Sequence, residues 1–387
     1  MGIVVGVNGC RNRSGGAVSH LIGLLGDSDP VACGIQQVHV WSYRKLLDSI
    51  PDHPWLVKHS ATQLEKSLPH QLWWEYYHLP GEVRRAGCDV LLNTDAGSLC
   101  YFRPAVVMSR DMLSYEPGEI DRYKISKARL RLIALRFVQN RSLRHAEGVI
   151  FLTKHAAKVI QKATGKLDRV SIIPHGLGQA FKQETPGGIW DESDDKTIRC
   201  LYVSNTAMYK HQWVVAKAIA ELRERGRNLS LTLVGGGSGP AQRLLDEEIA
   251  RSDPERNFIK CVGFTPHGEI PRFLAETDIF IFASSCENMP HTLVEAMASG
   301  LPIACSDRGP MPEILEDGGV FFTPESSESI AQAIERLLDD RELRISKARR
   351  AKILSERYSW ERCGRETWGF VGAIATAARM RVANIRK

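Results

Sequence analysis

FASSCENMPHTLVEAMASGLPIACSDRGPMPEIL, running from Phe282 to Leu315, is the stretch from which the rest of the chain can be read. Just upstream, Ile279-Phe280-Ile281-Phe282 is a continuous apolar run, the pattern of a strand buried on both faces. A polar turn, Asn288-Met289-Pro290-His291, follows, and Thr292 to Ala298 then reads as a helix. Two carboxylates bracket this junction, Glu287 just before the turn and Glu295 one turn inside the helix. Strand, turn and helix N-terminus is where an α/β sheet presents backbone N–H groups to a phosphate. Carboxylates placed on either side of such a helix start accept hydrogen bonds from sugar hydroxyls. The arrangement suits a nucleotide-sugar, with its diphosphate on the helix end and its sugar and ribose on the two glutamates.

Two glutamates at this spacing say little by themselves, because helix surfaces produce them constantly. Here they are embedded in a longer pattern. A small-residue helix end, Ala298-Ser299-Gly300, leads into the strand Leu301-Pro302-Ile303-Ala304-Cys305, and the turn Ser306 to Pro310 leads on to Glu313. The whole segment resembles the Glu-x7-Glu signature of retaining GT-B glycosyltransferases, most closely glycosyltransferase family 4. The resemblance implies an α/β fold of GT-B architecture, two Rossmann-like domains with a cleft between them. It also implies that Glu287 faces the donor sugar and Glu295 holds the ribose hydroxyls. Asn288, Met289, Pro290, His291, Thr292 and Leu293 would then line the donor site.

Composition agrees with that size of architecture. At 387 residues the chain holds about two domains. An apolar fraction of 43% and a charged fraction of 25% are ordinary for a globular protein. The opening Met1-Gly2-Ile3-Val4-Val5-Gly6-Val7 reads as a first strand rather than a signal peptide. Nothing approaches a membrane span of about 18 apolar residues. Nine cysteines lack metal-ligand spacing and read as reduced thiols, so the expected compartment is cytoplasmic. Charge is uneven: residues 1–180 carry 23 Lys and Arg against 15 Asp and Glu, and the remainder 28 against 30. Much of the excess falls between Arg122 and Arg144, where no acid occurs. Ile125, Ala128, Leu132 and Leu135 recur there at helical spacing and predict a basic amphipathic helix. Such a helix could meet an anionic membrane surface, making the protein peripheral on the inner face of the cytoplasmic membrane, or a lipid-diphosphate acceptor. Equally it could be a solvated face over a core-packed stripe. Nucleic acid is disfavoured, because the basic excess has no interleaved aromatic platform.

Strand and helix candidates alternate along the N-terminal half, as in a doubly wound sheet. Ile3 to Val7 is a strand, Asn8 to Gly16 a loop and Ala17 to Leu25 a helix; later strands are Asp89 to Asn93, Ala105 to Met108, Gly148 to Leu152 and Val170 to Ile173. In GT-B relatives a glycine pair after the first strand approaches donor phosphates or acceptor, and Gly15 and Gly16 fit that place. Pro174-His175-Gly176 resembles the motif that closes the family's first domain, and Gln179 to Lys196 reads as a linker. The second half repeats the alternation from the strand Arg199 to Ser204. Gly235 to Gly239 reads as a tight strand-to-helix turn near the donor base, lacking the spacing of a dinucleotide fingerprint. The tail, Arg362 to Ala383, reads as an amphipathic helix that in GT-B proteins crosses back to the first domain. The expected domains are 1–180 with 362–387 for the acceptor, and 181–361 for the nucleotide-sugar donor.

Transfer from a nucleoside diphosphate requires neutralising a doubly charged leaving group. The family usually supplies an Arg and a Lys after the first strand of the second domain. Lys210 matches the lysine, whereas Asn205 stands where the arginine usually lies, so Arg308 or Lys154 would have to substitute. His291 and His175 sit at cleft-facing turns. The first-domain histidine of relatives is replaced by Ser109-Arg110-Asp111, making Arg110 and Asp111 acceptor-side candidates. The chain is therefore expected to be a metal-independent, cofactor-free hexosyltransferase, retaining anomeric configuration. It would move a sugar from UDP- or GDP-sugar to a glycan or lipid-linked acceptor in lipopolysaccharide or other bacterial surface polysaccharide synthesis. The rival readings are a GT-B-fold nucleotide-sugar epimerase and a non-catalytic nucleotide-sugar binding subunit.

Overall fold

The computed structural model describes residues 2–13, 15–182, 190 and 196–385. Most of the predicted linker, and Ser14 of the first loop, lie outside them. The chain divides into two compact units, Met1–Gly176 with Tyr358–Lys387, and Leu177–Arg357.

The first unit is built on seven strands: β1 (Ile3–Asn8), β2 (Ile35–Trp41), β3 (Leu56–His59), β4 (Val90–Asn93), β5 (Ala105–Ser109), β6 (Gly148–Phe151) and β7 (Val170–Ile172). All neighbouring pairs are parallel, in the order β3-β2-β1-β4-β5-β6-β7. The central strands β1, β4 and β5 are mostly apolar, as expected where helices cover both faces of a parallel sheet, and Val5, Val7, Leu91, Leu92 and Val106 are fully buried. Its helices are α1 (Gly15–Gly26), α2 (Arg44–Asp48), α3 (Leu68–Tyr77), α4 (Leu79–Arg85), α5 (Lys127–His145) and α6 (Lys154–Thr164). The predicted basic helix is thus real but begins later than expected. Ile120–Tyr123 forms a separate 3-10 turn, Lys124 adopts φ 44°, and Ser126 caps α5 by accepting from Arg129 N at 3.2 Å. The expected apolar stripe holds only at Leu132: Ile125 and Ala128 are exposed, Leu135 is half-buried, and Gln139 and Leu143 join Leu132 in facing the core.

The second unit has six parallel strands: β8 (Ile198–Thr206), β9 (Leu229–Gly237), β10 (Ile259–Val262), β11 (Ile279–Phe282), β12 (Ile303–Ser306) and β13 (Val320–Phe322), ordered β10-β9-β8-β11-β12-β13. Around it lie α7 (Gln212–Glu224), α8 (Pro240–Ser252), α9 (Ile270–Ala275), α10 (His291–Ala298), α11 (Met311–Leu315), α12 (Ser327–Asp339) and α13 (Arg341–Ser355). Gly235 to Gly237, expected as a turn, instead continue β9 in register with Ser204 to Thr206. Glycine is required there: Gly235 has φ 129°, and a Cβ would lie 2.4 Å from the Ser204 carbonyl oxygen. Trp190, inside the predicted linker, is buried beneath the Arg344 guanidinium at 3.9 Å.

The last helix, α14 (Trp360–Ile385), belongs to the first unit. Trp360 seats so closely on α1 that a Cβ at Gly23 would fall 2.2 Å from its ring. Trp368 is fully buried and donates to Ser28 Oγ at 2.7 Å, and Arg379 pairs with Asp89 at 2.6 Å.

Candidate active site

Both sheets reverse strand order beside their first strand. Doubly wound sheets bind ligands outside the carboxyl ends of strands at that reversal. In the second unit the reversal lies between β8 and β11. The segments leaving those two strands carry Lys210 and Glu287, so topology brings together residues that are distant in sequence.

β8 ends in a 3-10 turn, Met208–Lys210, held by Tyr202 Oη donating to the Lys210 carbonyl at 2.8 Å. His211 then turns the chain into α7 with φ 52°, and its imidazole meets Ser285 Oγ at 3.0 Å. Ser285 N donates to the Tyr209 carbonyl at 2.8 Å, joining the two loops at the backbone. Within this frame Lys210 Nζ forms an ion pair with Glu287 Oε1, the side chains being 10% and 16% exposed. The ammonium also lies 5.1 Å from the Tyr209 ring and 5.7 Å from that of Phe282. One cation and one carboxylate are therefore held, nearly dry, at the mouth of the sheet.

The loop from Glu287 runs into α10 through Pro290. Asn288 and Met289 are buried, His291 and Thr292 are half-buried, and Leu293 is fully buried, leaving only its backbone N–H for a ligand. Glu295 is 2% exposed. Its Oε1 accepts from His267 Nε2 at 2.6 Å, while Oε2 is buried without a partner among the described residues. That hydrogen bond raises the His267 pKa, against a smaller desolvation effect. The His267 ring in turn lies 5.0 Å from that of Phe181. A buried carboxylate oxygen with no donor is costly, and a hydroxyl group placed beside it would satisfy it.

The remaining donor-side residues divide. Asn205 is the exposed penultimate residue of β8, and its carbonyl accepts from Gln212 Nε2 at 2.9 Å. Arg308, expected as a substitute cation, lies 3.4 Å from Asp307 and 3.5 Å from Glu325, so its charge is already balanced.

In the first unit the reversal lies between β1 and β4. Gly15 and Gly16 open α1 beyond the end of β1, with open space around a Cβ at Gly15. Asn8 donates to Glu75 Oε1 at 2.7 Å and Asn93 Oδ1 at 2.9 Å, and fully buried Glu75 has its pKa raised by burial. Arg110 donates from Nη2 to Asn12 Oδ1 at 2.8 Å, while its Nε and Nη1 are buried without a partner among the described residues. Asp111 is a tether instead: it accepts from Leu113 N at 3.0 Å and Gln139 Nε2 at 3.3 Å, and burial raises its pKa. Sequence reasoning missed His267, Glu75 and Asn12, whose partners lie far along the chain and leave no local signal.

Residues 191–353 match the family model described as glycosyl transferases group 1. The amylovoran biosynthesis glycosyltransferase AmsK of Erwinia amylovora is 34% identical over 176 residues, covering 41% of each chain. The α-D-kanosaminyltransferase of Streptomyces kanamyceticus is 28% identical over 249 residues, covering 62% of this chain and 64% of its own. The chain thus spans well under two thirds of one of these curated relatives and just under two thirds of the other. Among solved structures, sucrose-phosphate synthase from Thermosynechococcus elongatus superposes with TM-score 0.73 at 16% identity, covering 99% of both chains. Alr3699/HepE of Anabaena, in complex with UDP and glucose, gives 0.67 at 20% identity, covering 95% of this chain and 97% of its own. The fold is the GT-B fold.

Proposed function

We propose that this chain, whose residues 191–353 match the model of the group 1 glycosyl transferases, moves a sugar from a nucleoside-diphosphate sugar to a glycan or lipid-linked acceptor with retention of configuration. The observation that carries the reading is the largely buried Lys210–Glu287 pair at the β8/β11 reversal, with α10 beginning just after it and Glu295 Oε2 buried without a partner among the described residues. Lys210 and the first N–H groups of α10 neutralise the diphosphate as it leaves. Glu295 accepts from the ribose, and Glu287 faces the sugar, where positive charge develops. In a front-face transfer the bond from the anomeric carbon to phosphate oxygen breaks as a bond to the acceptor oxygen forms. The acceptor's proton passes to the leaving phosphate. Because Lys210 and a helix end supply the neutralising charge, turnover requires no added divalent ion.

Surface polysaccharide assembly is the setting supported by the relatives' names, which include the amylovoran enzyme and an O-antigen chain mannosyltransferase of Escherichia coli. The test is a panel of UDP-, GDP- and ADP-sugars scored by thermal stabilisation, then by nucleotide release with and without acceptor, in EDTA. Stabilisation by one donor class and acceptor-dependent release support the reading. Donor conversion without acceptor would instead establish an epimerase, and binding without turnover a non-catalytic subunit.

A further inference from the structure

The face of α5 that turns away from the core is not polar. Leu130, Ile133 and Phe137 follow one another at i, i+3 and i+7, so they share one side of the helix, and they are 69%, 50% and 72% exposed. Ile125, just before the helix, is fully exposed. Leu132, Gln139 and Leu143 supply the opposite, buried side. An apolar row standing in water on a helix whose core contacts are already made is a surface built for a partner.

The charges around that row identify the partner. Lys127, Arg131 and Arg141 are exposed, and α5 contains no Asp or Glu. The other arginines already have partners: Arg129 pairs with Asp121 at 3.0 Å, Arg144 donates to the Thr164 and Ala163 carbonyls, and Arg136 lies over the Tyr115 ring at 5.6 Å. Arg131 also feels the Asp111 carboxylate, but an apolar row flanked by exposed cations on a helix without acids is the composition of a helix that lies in the plane of an anionic bilayer. Among the described residues no helix is long and apolar enough to cross a membrane. We propose that α5 docks the first unit on an anionic lipid surface, with Leu130, Ile133 and Phe137 entering the headgroup–acyl boundary and Lys127, Arg131 and Arg141 on the phosphates. The proposal goes beyond sugar transfer and its test reads binding alone, so it stands or falls independently of the donor chemistry.

The experiment is co-sedimentation of the full chain with phosphatidylcholine vesicles, with and without phosphatidylglycerol, across a salt series. Binding is expected only to the anionic vesicles and should weaken steeply with salt. Removing Lys127, Arg131 or Arg141 as Gln should each lower the partition coefficient about five-fold, the equivalent of about 1 kcal/mol per cation. Phe137→Ser and Ile133→Ser should reduce binding further and leave its salt slope unchanged. These positions are exposed, so melting temperatures should hold, and Phe137→Trp should shift its emission to the blue on anionic vesicles only. Equal binding to neutral vesicles, or a Trp emission that does not move, overturns the proposal. So does a concentration-dependent dimer without lipid that Phe137→Ser dissolves, which would assign the face to a second copy of the chain.

Discussion

Replacing Lys210 by Met separates the two tasks assigned to its ammonium. Met keeps the volume and removes the charge, so the packing against Phe282 and Tyr209 is disturbed little. What remains is Glu287, a carboxylate 16% exposed with its cation gone. Breaking a buried pair from one side costs about 3–5 kcal/mol, and the residual exposure here places the expectation near the lower end. Urea unfolding should therefore show a loss of about 3 kcal/mol. Turnover should fall by about two to three orders of magnitude, the usual effect of removing one preorganised group that stabilises the leaving charge.

The second variant decides between structure and chemistry. Adding Glu287→Gln to Lys210→Met removes the orphaned charge, and stability should return to within about 1 kcal/mol of the parent. Activity should stay down, because neither the cation nor the carboxylate is restored. Double-mutant analysis of unfolding and of kcat/KM on the same four proteins gives the two coupling energies side by side. A stability loss below about 1 kcal/mol in Lys210→Met would refute the description of a desolvated ion pair. Recovery of turnover in the double variant would refute the phosphate role, leaving Lys210 as a clamp on Glu287.

Other expectations follow from the same site. Glu295→Gln should weaken free nucleotide by about 1.5–3 kcal/mol, while Glu287→Gln should bind it nearly normally and lose kcat; titration calorimetry beside steady-state kinetics checks both, and the reverse result would swap the roles. His267 has a raised pKa because of Glu295, so its stabilising contribution is full below its ordinary value near 6.5 and is lost as pH rises through the folded-state pKa. The melting-temperature advantage of the parent over His267→Gln should accordingly shrink on going from mildly acidic to mildly alkaline buffer, and a pH-independent gap would count against the pairing. Asn205→Arg should restore a phosphate contact and tighten UDP about ten-fold, corresponding to about 1.4 kcal/mol, if the β8 end faces the diphosphate; unchanged affinity would place it elsewhere.

Legibility from sequence followed how local the signal was. β1, β4, β5, β6 and β11 were readable because parallel strands covered on both faces are continuous apolar runs. β2 was not, since Gln36, Gln37 and His39 break the run, and β3 is only four residues, all half-buried. The glycines of β9 looked like a turn because their composition is that of a turn; only the pairing with Ser204 to Thr206 makes them strand. The Glu-x7-Glu segment and Lys210 were visible because each is a few residues from a strand end. The bond from His267 to Glu295 joins positions that no periodicity or spacing connects, and the exposed row on α5 emerged only once the helix start at Lys127 set its register.

The charge inventory of the second unit's site also explains why Glu287 is paired at all. Asn205 carries no charge, and Arg308 is balanced by Asp307 and Glu325, which leaves Lys210, among the described residues, as the cation of the β8 end. An ammonium 10% exposed needs a counter-ion when no donor is bound, and Glu287 supplies it. A bound diphosphate offers Lys210 a stronger anionic partner and releases Glu287 toward the sugar, where a carboxylate stabilises developing positive charge. Donor binding and the freeing of Glu287 are then a single event, because one lysine cannot satisfy both anions in full. In that account Glu287→Gln removes the competitor for Lys210 as well as the transition-state carboxylate. It should bind free nucleoside diphosphate at least as tightly as the parent while turning over more slowly, and weaker nucleotide binding in that variant would show that the two anions do not compete.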